Sequence, residues 1–393
     1  MLHANSQLLV DTLVGLPLLN GRYSGLELVN VVGNDKRGFF SLVFKAHDEL
    51  EDRAVALKFF DIDPQKQNRY RILCFEREHQ ILVLLRGASR CLQVMSDFMV
   101  FNLEINLPGQ SNPIVIPAPY FATAWLDDDI DDYFNQQEAV DAISKLKLFN
   151  DVVLAVESLH SRSIFHRDVK VDNLRQQRSN GRREVVAIDL GTAARCDSPP
   201  MLPAYGQPVG LLSYSAPETF CGLAGNRSIA PSTDMYALGC MLFELFHPDD
   251  FPSALRFANA DFDLRVSALQ SRIGAGTHDG ERMEAWDIEA PRLLNGLTAI
   301  RLSSESSSAP SAIIDIVSDL ILEMTRANFR SREKSFARVR KRIWCAIRIL
   351  ENVALARRRS QIAAARRQAR NEKARTRALR NASRLPSIAP EVA

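Results

Sequence analysis

The chain has 393 residues, 46% of them hydrophobic, and carries 49 Lys/Arg against 47 Asp/Glu, so it is long enough for two lobes plus an extension. Its six cysteines are scattered without a C-x-x-C pair, which argues against a structural metal and favours a reduced compartment. The N-terminus is unlike a signal peptide and no apolar run approaches ~18 residues, so we expect no transmembrane segment and a cytoplasmic protein, or a nuclear one in a eukaryote.

The first 24 residues carry apolar side chains without a clear period and predict an arm or a short helix packed on the body. From Leu26 the pattern becomes strand-like. Residues 26–33 and 39–46 are rich in β-forming residues and flank an Asn/Asp turn, which predicts a hairpin.

An ammonium group closes the next apolar strand, whose residues 55–58 read Val-Ala-Leu-Lys. Burying Lys58 at that position is costly unless a carboxylate pairs with it. Residues 75–85 have apolar side chains at helical spacing, and Glu78 lies on the side of this helix that would face the strand. Glu76 is two positions away and would face elsewhere, so Glu78 is the expected partner.

Two further strands are expected around residues 94–104 and 120–125, joined by the loop L-P-G-Q-S-N-P. An acidic run follows at residues 127–132, and it fits either a basic substrate or a solvated helix start. Residues 141–160 then have the apolar rhythm of a helix that leads into a polar loop.

That loop reads I-F-H-R-D-V-K-V-D-N from Ile164 to Asn173 and fits the pattern H-R-D-x-K-x-x-N. Phosphoryl transfer needs a carboxylate for the attacking hydroxyl, a cation against the phosphate and a neutral oxygen ligand for Mg²⁺. Asp168, Lys170 and Asn173 would supply these three groups from one short segment.

A short hairpin with a turn at residues 180–181 is expected next, and its second strand delivers Asp189-Leu190-Gly191. A carboxylate at the end of a buried strand is a natural Mg²⁺ ligand, and the glycine permits a sharp exit.

Further along, an Ala-Pro-Glu motif ends at Glu218, and a buried helix headed by Asp234 follows. Residues 252–310 combine helical pieces with a Ser-rich stretch that we expect to be a flexible loop, and residues 313–324 restore a helix.

Together these motifs resemble the eukaryotic-type protein kinase family over about residues 26–350. The resemblance implies an α+β fold with two lobes: a small β-rich N-lobe at residues 25–124 and a larger, mainly helical C-lobe at 125–350. The arm (1–24) and a basic, helical or disordered tail (351–393) flank them. It also implies an enzyme with ATP and Mg²⁺ as cofactors, which transfers the γ-phosphate of ATP to Ser/Thr hydroxyls of protein substrates.

Each site residue has a role that the resemblance implies. Asp168 would orient the nucleophile and Lys170 steady the γ-phosphate, while Asn173 and Asp189 hold the metal. Lys58, positioned by Glu78, would hold the α/β-phosphates. The other nucleotide-binding positions lie in the glycine-rich loop, the neighbouring strands and the hinge: Gly38, Ser41, Val43, Ala56, Thr123 and Trp125.

The resemblance also implies three supporting contacts. Asp234 would accept hydrogen bonds from the catalytic-loop backbone, and Arg332, or else Arg330, would pair with Glu218. Arg167 would receive a phosphate attached to the segment that follows Asp189.

Three departures from the family pattern bear on specificity and activity. Lys36 and Ser41 occupy the outer glycine positions of the nucleotide loop, and Leu211 replaces a threonine that usually contacts the catalytic Asp and Lys. These departures leave Ser/Thr specificity open and support an alternative, a pseudokinase that acts as a nucleotide- or partner-binding scaffold. The intact Lys58, Asp168 and Asp189 favour an active kinase.

The tail separates from the rest of the chain by charge. From Ser331 onward there are 18 Lys/Arg and 4 Asp/Glu, which leaves the remainder acidic. Its first part has one apolar helix face, and beyond Leu355 it is rich in Ala and Arg. Two interpretations remain open: an anchor for a polyanion, either nucleic acid or an acidic membrane, and a solvated helix or disordered end that contacts the acidic body.

Overall fold

The chain folds into a β-rich lobe followed by a mainly helical lobe. This is the α+β, two-lobed arrangement that the sequence predicts. The computed structural model describes residues 2–32, 35–36, 41–65, 69–106, 112–126, 128–135, 139–179, 181–195, 214–226 and 228–382. The strands are β1 (Tyr23–Leu28), β2 (Val31–Val32), β3 (Asp35–Lys36), β4 (Ser41–Asp48), β5 (Arg53–Phe60), β6 (Met99–Ile105), β7 (Ile114–Ala124), β8 (Ile164–Phe165), β9 (Leu174–Ser179), β10 (Arg182–Ala187) and β11 (Ala194–Arg195). The helices are α1 (Ala4–Gly15), α2 (Arg69–Leu84), α3 (Asp132–Asn135), α4 (Ala142–His160), α5 (Pro217–Phe220), α6 (Ala230–Glu244), α7 (Phe251–Ala258), α8 (Phe262–Gly274), α9 (Asp279–Leu294), α10 (Ile314–Met324) and α11 (Phe336–Ala382).

A five-stranded antiparallel sheet in the order β1-β4-β5-β7-β6 forms the β-rich lobe. Successive side chains of a strand point to opposite faces, so the sheet has two different surfaces. The outer face carries large apolar residues such as Phe44 and Phe59, and α1 covers it with Leu9 and Leu13. The inner face carries Lys58 and faces the helical lobe.

Helix α6 forms the centre of the helical lobe, where nearly all of its side chains are buried. α10 and α4 pack against it, and α11 packs in turn on α4. Asp141 begins α4 by accepting a hydrogen bond from the Ser144 amide at 3.0 Å, which satisfies a donor that a helix start leaves free.

One fully buried ion pair ties this lobe together. Arg332 Nη1 lies 2.5 Å from Glu218 Oε1, and the same nitrogen donates to the Ser232 carbonyl at 2.7 Å. Arg330 binds the exposed Asp287 instead, at 2.8 Å. The structure therefore selects Arg332 from the two arginines that the sequence left open.

Two details differ from the sequence-based expectations. Helix α6 begins at Ala230, four residues before Asp234, so Asp234 lies inside the helix. The Ser-rich stretch forms a hydrogen-bonded turn instead of a structureless loop: the Ser307 amide donates to the Ser303 carbonyl, and the Ser308 amide donates to the Phe246 carbonyl at 2.8 Å.

The tail begins as part of the body and ends in solvent. Val339 and Ile347 of α11 are fully buried, and the Phe336 ring meets the His160 ring edge to face at 5.0 Å. From residue 354 to residue 376 every side chain is exposed, although the helix continues unbroken to Ala382. No helix in the described part of the chain is both long enough and apolar enough to cross a bilayer.

A buried lysine in α4 makes the stability of the helical lobe depend on pH. Lys145 is 1% exposed, donates to Ser308 Oγ at 3.1 Å and lies over the Phe246 ring, and no carboxylate among the described residues pairs with it. Burial therefore lowers its pKa to about 8.

We expect Lys145→Met to raise the free energy of unfolding at pH 7 by about 2 kcal/mol, because it removes an uncompensated buried charge. The gain should be full below pH 8, where wild-type Lys145 is protonated in both states. It should shrink as the pH rises from 8 towards 10, where the folded state has lost the proton. Urea denaturation across this range measures it, with the exposed Lys147→Met as control. A gain in the free energy of unfolding that stays constant with pH would contradict the lowered pKa of Lys145.

Candidate active site

Three structural elements bring their charged side chains together around Lys58, on the inner face of the sheet. Lys58 Nζ lies 2.7 and 2.6 Å from the two oxygens of Glu78, which projects from α2. It also lies 2.9 Å from Asp189 Oδ1, just after β10. The ion pair of Lys58 with Glu78 that the sequence predicts is therefore present, and Asp189 joins it as a second carboxylate.

The charges of this triad determine its protonation. Burial alone would lower the pKa of Lys58, but the Asp189 and Glu78 carboxylates outweigh it and hold the pKa above its usual value. Burial opposes ionisation of Asp189 as well, yet the Lys58 ammonium keeps the pKa of Asp189 below its ordinary range. Glu78 is the most deeply buried of the three, and burial raises its pKa despite Lys58. Lys58 is consequently a stable cation at neutral pH.

A second group forms at the loop after β8. The Asn173 amide nitrogen donates to the backbone carbonyl of Asp168 at 2.8 Å and to its Oδ2 at 2.9 Å. Lys170 Nζ lies 3.4 Å from the same Oδ2. Both donor hydrogens of Asn173 are thus used by Asp168, which leaves Asn173 Oδ1 as an acceptor for another group.

Asp234 holds this loop in place from inside α6. Its Oδ1 accepts from the Arg167 amide at 2.7 Å, and its Oδ2 accepts from the His166 amide and from His160 Nε2, both at 2.8 Å. These are the backbone contacts expected of Asp234. They maintain the loop at Arg167, whose φ of 65° is unfavourable for a side chain with a Cβ.

The two groups are linked through the strand that precedes Asp189. His166 Nε2 donates to the Ile188 carbonyl at 2.9 Å, and the Ile188 amide donates to the Asn173 carbonyl at 2.9 Å. Asp189 itself has φ 58°, and the next amide, that of Leu190, donates to Glu78 Oε1 at 3.2 Å. Glu78 is therefore held by a backbone contact as well as by Lys58.

Most of the remaining nucleotide-binding candidates lie on the sheet. Ser41, Val43, Ala56 and Thr123 are alternate residues of β4, β5 and β7 and share the sheet face of Lys58, as does Lys45. Trp125 follows β7, and the Lys45 ammonium lies 4.8 Å from the centre of its ring. Gly38 and Leu211 lie outside the described residues, as does the whole segment between Arg195 and Tyr214.

Sequence reasoning missed several contributors to this site. Asn30 accepts from the Val43 amide at 2.9 Å and donates to the Ser41 carbonyl at 3.0 Å, and so fixes the start of β4. His166 joins the catalytic loop to Ile188, and His160 of α4 donates to Asp234, which holds that loop. The pattern shows His166 beside Arg167, but a lone His or Asn carries no signal for a backbone partner far along the chain.

The oxygen donors at the junction of the two groups suit Mg²⁺. Asp189 is ionised and Asn173 Oδ1 is available as an acceptor, and such hard oxygen atoms are the ligands that Mg²⁺ takes when phosphates and water complete its shell. The two groups are close, because the Ile188 amide donates to the Asn173 carbonyl at 2.9 Å and Asp189 directly follows Ile188. The described residues hold no cluster of three or more His, Cys, Asp or Glu that would bind a metal by itself.

Known proteins resemble this chain over the same region. A model of the protein kinase domain family matches residues 28–259. Serine/threonine-protein kinase PksC of Streptomyces coelicolor is 30% identical over 250 residues, which are 63% of this chain and 41% of that protein. Cell division control protein 2 homolog 2 of Trypanosoma brucei brucei is 24% identical over 226 residues, 57% of this chain and 56% of that protein. Cyclin-dependent kinase G1 of Arabidopsis thaliana is 28% identical over 210 residues, 53% of this chain and 31% of that protein. This chain thus spans between 31% and 56% of the length of these relatives.

We expect Asp234→Asn to lower the free energy of unfolding by about 1–3 kcal/mol, because an amide NH₂ would then face buried N–H donors that now meet a carboxylate. Urea denaturation measures the change. The exposed Asp315→Asn, in the first turn of α10, is the matched control and should change it by less than about 0.5 kcal/mol. Equal effects of the two substitutions would contradict the role given to Asp234.

Proposed function

The chain belongs to the protein kinase family, and on this basis we propose that it transfers the γ-phosphate of ATP to Ser/Thr hydroxyls of protein substrates. One observation carries the proposal: the cation Lys58 is held between Glu78 and Asp189, while Asn173 and Lys170 bracket the Asp168 carboxylate. The arrangement combines a phosphate-binding cation, a pair of metal ligands and an oriented carboxylate, the parts that phosphoryl transfer requires.

Each side chain has a defined task in this mechanism. Asp168 orients the attacking hydroxyl, with its Oδ2 fixed by Asn173, and Lys170 balances charge at the transferring phosphate. Lys58 binds the α/β-phosphates, and Glu78 keeps its ammonium in place. Asp189 and Asn173 would hold Mg²⁺, which would supply positive charge to neutralise the phosphates. The protein thus contributes positioning and electrostatic stabilisation.

The adenine would lie on the inner face of the sheet. Val43 and Ala56 offer apolar surface there, Thr123 borders the back of the pocket, and the chain around Trp125 supplies backbone hydrogen-bonding groups. Ser41, at the start of β4, would lie towards the phosphates, and we propose a nucleotide-binding role for Gly38 as well.

The choice of a Ser/Thr hydroxyl rests on two supports. Lys170 follows the Ser/Thr pattern R-D-x-K, and PksC is named a serine/threonine-protein kinase. The alternative, a pseudokinase scaffold, gains no support from the described site, in which Lys58, Asp168 and Asp189 all have the partners that activity requires.

We expect Asp168→Asn to reduce phosphate transfer to a generic protein substrate by at least roughly 100-fold, because the amide cannot act as the oriented carboxylate. Labelled γ-phosphate with Mg²⁺ measures transfer, and Asp315→Asn should match wild type. Phosphosite mapping then reports whether the acceptors are Ser/Thr. A folded wild type that binds ATP but transfers no phosphate would reject the proposal in favour of a scaffold.

We further propose that the exposed half of α11, residues 355–376, binds a nucleic-acid duplex through its phosphates. Arg359, Arg366, Arg370 and Lys373 are spaced by seven, four and three residues, which places them within about 60° of one another around the helix axis. A stripe of cations favours a polyanion. Leu355 and Ile362 are the only bulky apolar side chains exposed along this part, so burial in a membrane is disfavoured.

Two triple variants test the stripe. Arg366→Gln with Arg370→Gln and Lys373→Gln should weaken binding of a 20-base-pair duplex at least tenfold at roughly 0.1 M salt and flatten its salt dependence by about three units. The control triple, Arg357→Gln with Arg358→Gln and Arg375→Gln, removes the same charge from outside the stripe and should change binding less than about threefold. Equal weakening by both triples, or tighter binding to anionic vesicles than to the duplex, would reject the proposal.

A further inference from the structure

Helix α1 lies outside the segment that the protein kinase family model matches, which begins at residue 28. It nevertheless belongs to the core of the β-rich lobe. Leu9 and Leu13 are fully buried against the outer face of the sheet, and Val10 is 7% exposed. The face of α1 that meets the sheet therefore contributes to folding, and one of its polar residues has a more specific contact.

Ser6 is the buried polar residue of α1. Its hydroxyl donates to Asp61 Oδ1 at 2.5 Å, and neither residue is more than 1% exposed. The Asp63 amide donates to the same oxygen at 3.4 Å. Asp61 directly follows β5, the strand that carries Lys58, so Ser6 anchors the connection that leads from β5 into α2.

The same connection contacts the first turn of α2 through Arg71, which is fully buried. Burial lowers the pKa of the Arg71 guanidinium, and the charges of Asp61 and Asp63 oppose this lowering. The guanidinium also lies over the Phe60 ring, 5.6 Å from its centre. A buried guanidinium with these neighbours fixes the start of α2 relative to the end of β5.

Arg71 and Glu78 are both buried residues of α2, seven positions apart. Two helical turns separate them, so they lie on the same helix face at a distance of roughly 10 Å. A displacement at Arg71 would therefore move the Glu78 carboxylate away from Lys58 and from the Leu190 amide.

We propose that Ser6 is a positioning residue for the reaction: its hydroxyl holds Asp61 at the end of β5, the Arg71 guanidinium lies over the adjacent Phe60 ring, and the start of α2 thereby places Glu78 on Lys58. The inference rests on the proposed kinase activity for its consequence, but its structural part is independent of it. In this proposal, helix α1 stabilises the position of α2 through Ser6.

Ser6→Ala removes the hydroxyl and retains the helix, and Ser6→Asp adds a second carboxylate beside Asp61. Amide hydrogen exchange over residues 69–84 should accelerate by roughly threefold to tenfold in Ser6→Ala, the loss expected for one buried hydrogen bond, while α6 is unchanged. Thr12→Ala is the matched control, because the Thr12 hydroxyl donates only to the Leu8 carbonyl within α1. Unchanged exchange in α2 of both Ser6 variants would overturn the proposal.

A double-mutant cycle separates positioning from general stability. Ser6→Ala should raise the KM for ATP about threefold or more in the wild-type background, with the KM for protein substrate unchanged. In the Glu78→Gln background it should have no further effect on the KM for ATP, since the residue through which it acts is already altered. Equal effects in both backgrounds would overturn the role. An inactive wild type would reject the proposed function alone, because hydrogen exchange still decides the coupling of Ser6 to α2.

Discussion

The need to neutralise one ammonium group organises the β-rich lobe and joins it to the helical lobe. Lys58 lies near the end of β5 in a place with little access to water, and a cation there requires carboxylates. One comes from α2 and the other from the turn after β10, so the position of a helix and the path of a distant loop both depend on the same amine. Three elements therefore meet at this site, and a displacement of any one of them leaves a buried charge without its partner.

A second buried charge, the carboxylate of Asp234, has the corresponding role in the helical lobe. Asp234 is a buried anion whose pKa stays below its ordinary range, because N–H donors and His160 compensate for the burial. It fixes the loop of Asp168, and His166 carries that constraint to Ile188, next to Asp189. Lys58 therefore contacts Asp189, while Asp234 acts through His166 on the adjacent Ile188, so two separate hydrogen-bond systems meet in one site.

The sequence predicted the charged pairs of the site better than it predicted the residues that hold those pairs in position. Lys58 with Glu78 followed from the cost of a buried amine and from helical spacing, and Asp234 followed from the family pattern. The partner of Glu218 remained a choice between Arg330 and Arg332, because both lie in one irregular stretch and only packing decides which is buried. Ser6 gave no signal, since α1 has a weak apolar period and its partner, Asp61, is 55 residues away. A hydrogen bond between side chains so far apart in the sequence leaves no trace in local patterns.

The unbroken path of α11 has a consequence for the geometry of any molecule that it holds. Its first turns are packed on α4, and its last 28 residues continue as the same helix for roughly 40 Å without an intervening joint. A flexible linker would allow a bound molecule to reach the enzyme from all directions and would raise its effective concentration equally in each. A rigid helix instead holds a bound molecule at one distance and in one direction from the site of Lys58 and Asp168. Sites on that molecule would therefore be selected by their position as well as by their local sequence.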